Sequence, residues 1–331
     1  MLLRLLFVFM IVFQFPGHAR ATDLGVAGVP ITLGKSRNYD SIFSGLKSAG
    51  ITVYFPTSQY LEQPEAKSLG TETDFLAPCT PDSPAFKALR RHGLRLIVAG
   101  ELLYLRGKRL PPLAQDPLKD IIECAGREHI YGVLTYDEPV LSGASLESVA
   151  ALYERVKAID ASLPVLMVHA PMIVDMPQFA NPEGQKDYLD QVKSFSRHAD
   201  VVGFDVYPVV KEINKVGSPS SKGEIVDHVT AIKDYTRWLR TSVPGQRYFM
   251  VLQGFSLSDQ FEPELLRTMA PDSILDLIRA PNLSETQEMA QLSIDGGADL
   301  LVWWGVSFQK NDKSPIWRNI LKTARTISGA P

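Results

Sequence analysis

In "IYGVLTYDEPV", Ile130 to Val140, a run of apolar and β-favouring residues, Ile130 to Tyr136, leads into two adjacent carboxylates and is stopped by Pro139. Its apolar positions are continuous rather than alternating, the pattern of a parallel strand buried on both faces. The run has seven counterparts. Upstream are "GVPITL" (Gly28 to Leu33), "ITVYF" (Ile51 to Phe55) and "LRLIVA" (Leu94 to Ala99). Downstream are "PVLMVHA" (Pro164 to Ala170), "VVGFDVY" (Val201 to Tyr207), "RYFMVLQ" (Arg247 to Gln253) and "DLLVWW" (Asp299 to Trp304).

The gaps hold helix-like sequence. "SLESVAALYERVKAID" offers Ser145 as an N-cap, Glu147 in the first turn and an apolar stripe of Val149, Leu152, Val156 and Ile159. "SETQEMAQLSIDGGA" starts with Ser284 and stops at Gly296-Gly297, and "KGEIVDHVTAIKDYTRWLR" and "SPIWRNILKTARTI" fill two further gaps. Eight strand–helix units predict an α/β protein with a (β/α)8, or TIM, barrel as a single domain. Residues 256–283 are too long for a plain loop after the seventh strand and read as a lid or insertion.

Composition narrows the function. The chain has 331 residues, a net charge of −3 and 45% hydrophobic content, without a basic cluster that would suggest nucleic acid. Residues 1–21 carry Arg4, an apolar stretch from Leu5 to Phe15 and Ala19-Arg20-Ala21, which reads as a signal peptide cut before Thr22. The expected protein is therefore secreted or periplasmic, and no later segment is apolar enough to hold it in a membrane. Cys79 and Cys124 leave two readings open, a single disulfide or two inert thiols.

In a (β/α)8 barrel the carboxyl ends of the strands share one mouth. Strand ends in order supply Gly34, Lys35 and Arg37, then Glu101, then Asp137 and Glu138, then His169. Asp205 and Tyr207 follow on the sixth strand, Gln253 on the seventh, and Trp303 and Trp304 on the eighth. Consecutive strand residues face opposite ways, so only one tryptophan can face the centre, and Trp304 is the expected platform. Lys35 and Arg37 could read an anionic sugar or stay solvated. Acids, amides and aromatic faces around one opening suit an oligosaccharide or polysaccharide, because sugar C–H faces stack on aromatic rings and hydroxyls need rigid partners. No cofactor or metal is implied, and the sequence leaves the oligomeric state open. Two adjacent carboxylates sharing a pocket resist joint ionisation, which makes Glu138 the candidate general acid.

The chain resembles the clan A type of glycoside-hydrolase barrel. "TYDEP" occupies the place of that clan's Asn-Glu-Pro, which implies an acid/base role for Glu138. "APNLSETQEMAQLSIDGGADLLVWWG" is similar to the stretch that leads to a substrate-stacking Trp, and "VGFDVYP" suits the sixth strand. Two departures matter. Gln253 stands where the clan has its nucleophilic Glu, and Asp137 replaces the Asn that contacts the sugar. An amide cannot be the carboxylate nucleophile, so three readings remain. An N-acetyl group of the substrate could supply the nucleophile, as in hexosaminidases, whose Asp-Glu pair Asp137-Glu138 resembles. Asp205 could be the base of an inverting enzyme. Or the barrel binds glycans without cutting them. The expected substrate contacts are Gln253, Tyr207, His169, Trp304 and Glu101, around the catalytic candidates Glu138, Asp137 and Asp205.

Overall fold

The computed structural model describes residues 22–57, 72–104, 110–261, 263–269 and 271–330. The expected signal segment, 1–21, lies outside them. Eight parallel strands close into a barrel in sequence order: β1 (Asp23–Ala27), β2 (Val53–Phe55), β3 (Arg95–Ala99), β4 (Ile130–Asp137), β5 (Val165–His169), β6 (Val201–Val206), β7 (Arg247–Gln253) and β8 (Leu300–Trp304). The ring closes where β1 pairs with β8, Val26 beside Trp303.

Eight helices form the outer layer: α1 (Tyr39–Ser48), α2 (Pro84–His92), α3 (Pro117–Ala125), α4 (Leu146–Ile159), α5 (Pro182–Phe195), α6 (His228–Ser242), α7 (Leu283–Asp295) and α8 (Pro315–Ser328). The starts of α1 to α7 are fixed by short polar side chains that accept an otherwise orphaned backbone N–H. Ser145 caps α4 as its sequence suggests. Helix α7 starts two residues earlier than "SETQ" implies, because Asn282 and Glu285 form a reciprocal capping box.

Seven strands coincide with their apolar runs to within two residues. The first does not. Gly28 to Leu33 was expected to be extended, but β1 is the preceding "DLGVA", and Ile31–Ser36 is a short helix. Gly28 takes a φ of +75°, which ends the strand, and Pro30, without an N–H for a ladder, stands at the N-cap of that helix. Gly34, Lys35 and Arg37 therefore do not end β1. Lys35 is exposed, and the Arg37 guanidinium pairs with Asp74 at 3.2 Å.

Side chains alternate along each strand. One set packs outward against the helices, and the other fills the barrel with residues such as Val53, Ile97, Leu166, Val201 and Phe249. The amino end of the barrel is closed by a polar plug. Arg95 lies 5.0 Å from the Tyr131 ring centre, and Arg247 donates to the Tyr131 hydroxyl at 2.9 Å. Asp23 and Asp299 pair with these arginines. Outside the barrel, Cys79 and Cys124 form a disulfide across a Cα–Cα distance of 6.4 Å, linking the segment before α2 to α3. Residues 256–283 hold three short helices, Leu257–Gln260, Pro263–Met269 and Asp272–Leu275, beside the barrel mouth. Among the described residues no helix is long and apolar enough to cross a membrane.

Candidate active site

A cavity of about 460 Å³ opens at the carboxyl ends of the strands. That volume is within the ~300–1,000 Å³ common for small-ligand sites. Asp137, Glu138, Asp205, Tyr207 and Trp304 all line it.

Strand alternation alone would send Asp137 and Glu138 to opposite faces. Two local features defeat it. The pairing of β4 with β5 shifts register between Leu134 and Tyr136, which leaves Leu134 and Asp137 on the inner side. Glu138 then takes a left-handed backbone, φ +48°, rare for a residue with a Cβ. Its N–H donates to Val168 O at 3.0 Å and its carbonyl accepts from Ser142 N at 2.8 Å, which holds the turn. Such strain in a residue that need not adopt it is concentrated at functional sites.

Asp205 is reached by plain alternation on β6: Val201, Gly203 and Asp205 face in, Val202 and Phe204 face out. Gly203 is required here, since a Cβ would lie 2.5 Å from Phe249 O and 2.7 Å from the Phe249 ring. Asp205 is 6% exposed. Its Oδ1 is buried without a hydrogen-bond partner among the described residues. Burial pushes Asp205 well above the usual carboxylate range, and the charges of Glu138 and Asp137 push it further. Asp205 therefore keeps its proton to higher pH than an ordinary carboxyl does.

Asp137 is reached by solvent in the cavity but walled by protein. That wall pushes its carboxyl up to about 7, with Glu138 and then Glu101 adding to the shift. Glu101, in the short helix Gly100–Tyr104 after β3, accepts from Asp137 N at 3.1 Å. It braces the β4 end from behind and is not on the cavity wall.

The aromatic wall stands opposite β4. Tyr207 and Trp304 stack with ring centres 5.6 Å apart and planes inclined by 21°. Phe255 meets both edge-on, at 5.2 Å and 5.3 Å, and Phe308 abuts Trp304 at 5.0 Å. Trp303 points outward and is fully buried.

Two further residues expected at the mouth are placed elsewhere. His169 follows the inward-facing Val168 and so faces the helices; its Nε2 lies 3.1 Å from Ser196 Oγ, and burial holds its ring down to about 3, hence neutral. Gln253 has the inward parity but is sealed from the cavity. Its Oε1 accepts from Val209 N at 2.9 Å, and its Nε2 donates to Val209 O and, at 3.1 Å, to Phe255 O. The amide fastens the loop after β6 to the turn after β7, a task that needs donor and acceptor on one side chain. Asn214, unremarked in the sequence, fastens the same loop by donating to the Tyr207 and Val209 carbonyls. Phe55, Phe249, Phe255 and Phe261 also line the cavity and were not foreseen. Phe255 could have been, because it follows Gln253 by two. Among the described residues no cluster of His, Cys, Asp and Glu could hold a metal ion.

No family model and no curated protein matches the sequence. The fold has solved counterparts. A provisionally assigned alpha-L-fucosidase from Bacteroides thetaiotaomicron aligns over 95% of each chain at 10% identity, with a TM-score of 0.52. The beta-galactosidase from Rahnella sp. R3 aligns over 95% of this chain and 57% of its own, at 10% identity and a TM-score of 0.52. The GH53 catalytic domain of Ignisphaera aggregans aligns over 94% of this chain and 98% of its own, at 12% identity and a TM-score of 0.50. At these identities the likeness is one of fold.

Proposed function

We propose that the chain is a glycoside hydrolase in which Glu138 is the general acid. The observation that carries the reading is the convergence of Glu138, Asp137 and Asp205 on one cavity with a stacked Tyr207–Trp304 wall. Glu138 is the more solvent-accessible member of the pair, so it meets the glycosidic oxygen, and Asp205 keeps a proton available behind it. Tyr207 and Trp304 offer a flat face for the sugar's C–H groups. Asp137 faces the same space and is placed to orient a substrate group or stabilise charge at the anomeric carbon. The fold neighbours named as glycosidases, and the clan A resemblance of "TYDEP", support the reading.

Burial bears on the inverting alternative. A base in such an enzyme must be ionised, with water between it and the acid. The raised Asp205 carboxyl favours Asp205 as proton store over Asp205 as base. With Gln253 sealed away, no seventh-strand group supplies a nucleophile. An acetamido group of the substrate beside Asp137 is then the preferred source. We further propose export to an oxidising compartment, which the Cys79–Cys124 bridge supports.

The test is hydrolysis of a chromogenic glycoside panel by the wild type and by Glu138→Gln. Cleavage by the wild type alone supports the reading. Equal silence from both proteins leaves a glycan-binding barrel.

A further inference from the structure

The band of residues around and beneath the carboxyls is apolar. Val168 is the register partner of Asp137, and Val251 the register partner of Asp205. Val302 pairs with Val251 in turn. One layer deeper, Leu134, Leu166 and Phe249 face the same space. All six belong to strands, so this floor is set by the barrel itself and does not depend on the surrounding loops. A sugar hydroxyl directed at it would lose water and gain no partner. A methyl group would lose nothing and bury apolar surface. Charge points the same way. Among the described residues the cavity is lined by Asp137, Glu138 and Asp205 and by no Lys, Arg or His. Lys35 and Arg37, which could have received an anionic sugar, are not on its wall.

We propose that the ligand is a neutral glycoside whose sugar ring carries a methyl-ended substituent, a 6-deoxy or an N-acetyl methyl, buried against the floor of Val168, Val251, Val302, Leu134, Leu166 and Phe249. The proposal rests on the hydrolase reading for its orientation, with the anomeric carbon at Glu138, but the floor selects its ligand whether or not bond cleavage follows.

Calorimetric titration of the wild type tests it with paired free sugars, L-fucose against L-galactose and N-acetylglucosamine against glucose, with glucuronic acid beside them. The methyl-bearing member of one pair is expected to bind at least about tenfold more tightly, the scale on which an apolar pocket discriminates. Which pair shows it separates the 6-deoxy from the N-acetyl form. Val251→Thr, which places a hydroxyl in the floor without changing its volume, is expected to reduce that preference several-fold, and Val302→Thr serves if the first variant folds poorly. Equal binding within both pairs, or tightest binding of glucuronic acid, overturns the proposal. Glu138-dependent cleavage confined to fully hydroxylated or uronic glycosides overturns it while leaving the hydrolase reading intact. Methyl-selective binding with no cleavage of any glycoside supports it and removes the hydrolase reading.

Discussion

Glu138, at the turn that ends β4, and Asp205, inside β6, line one cavity at the mouth of the barrel. Neither residue is near the other in the chain, and each reaches the cavity by a different route. Asp205 follows simple alternation. Glu138 depends on a register shift and a left-handed turn.

This arrangement makes a prediction about pH. Asp205 is raised by burial and by its acidic neighbours, so it retains its proton to higher pH than an ordinary carboxyl and loses it as pH rises further. Catalysis that needs this proton should fall on the alkaline side. Asp205→Asn removes the store and the like charge together, leaving Glu138 with a neutral neighbour. The alkaline limb of the kcat/KM profile is expected to move to lower pH, with kcat at neutral pH reduced by roughly 10- to 100-fold. An unmoved alkaline limb would separate Asp205 from the proton transfer.

Asp137 carries a stability signature. Its carboxyl is raised to about 7 in the fold, above the ordinary value of 3.8. Between these pH values the folded protein holds a proton that the unfolded chain has released, so stability falls as pH rises through this window. The handicap is absent below it and complete above it. Asp137→Asn should therefore raise Tm at pH 8 and leave it little changed at pH 4. Because solvent reaches the side chain, the gain is expected to be modest. Equal Tm values at both pH extremes would mean that the side chain titrates normally.

Gln253 invites an obvious repair that the structure says will fail. Gln253→Glu places at this strand end the carboxylate that the resemblance to clan A enzymes would call for. It would also set a carboxylate against the Val209 and Phe255 carbonyls and remove both donors. The expected outcome is a loss of roughly 2–4 kcal/mol in chemical denaturation at neutral pH and no gain in hydrolysis. A variant that is equally stable and more active would show that this position can reach substrate.

Much of the barrel was legible because buried parallel strands have long apolar runs, and Arg247 to Gln253 matches β7 residue for residue. The first strand was obscured by a local accident: "GVPITL" is as apolar as a strand, but Gly28 and Pro30 turn it into a helix start. Alternation distinguished Trp304 from Trp303. Applied to "VLMVH" it would also have turned His169 outward, since Val168 and His169 cannot both face the axis. Three features had no sequence signal: the left-handed Glu138, the hold of Gln253 on a loop 44 residues away, and the stacking of Tyr207 on Trp304. Each is a product of closing the ring, which makes neighbours of residues that sequence separates.

If Glu138 gives its proton to the departing glycosidic oxygen, the cost of removing it depends on the leaving group. An aryl leaving group as acidic as 2,4-dinitrophenol departs without a proton, whereas an alkyl alcohol or a second sugar does not. With Glu138→Gln, a loss of ~10²–10⁴-fold in kcat/KM is expected for the poor leaving group and a small loss for the dinitrophenyl glycoside. Equal losses for both substrates, or none for either, would remove Glu138 from the role of proton donor.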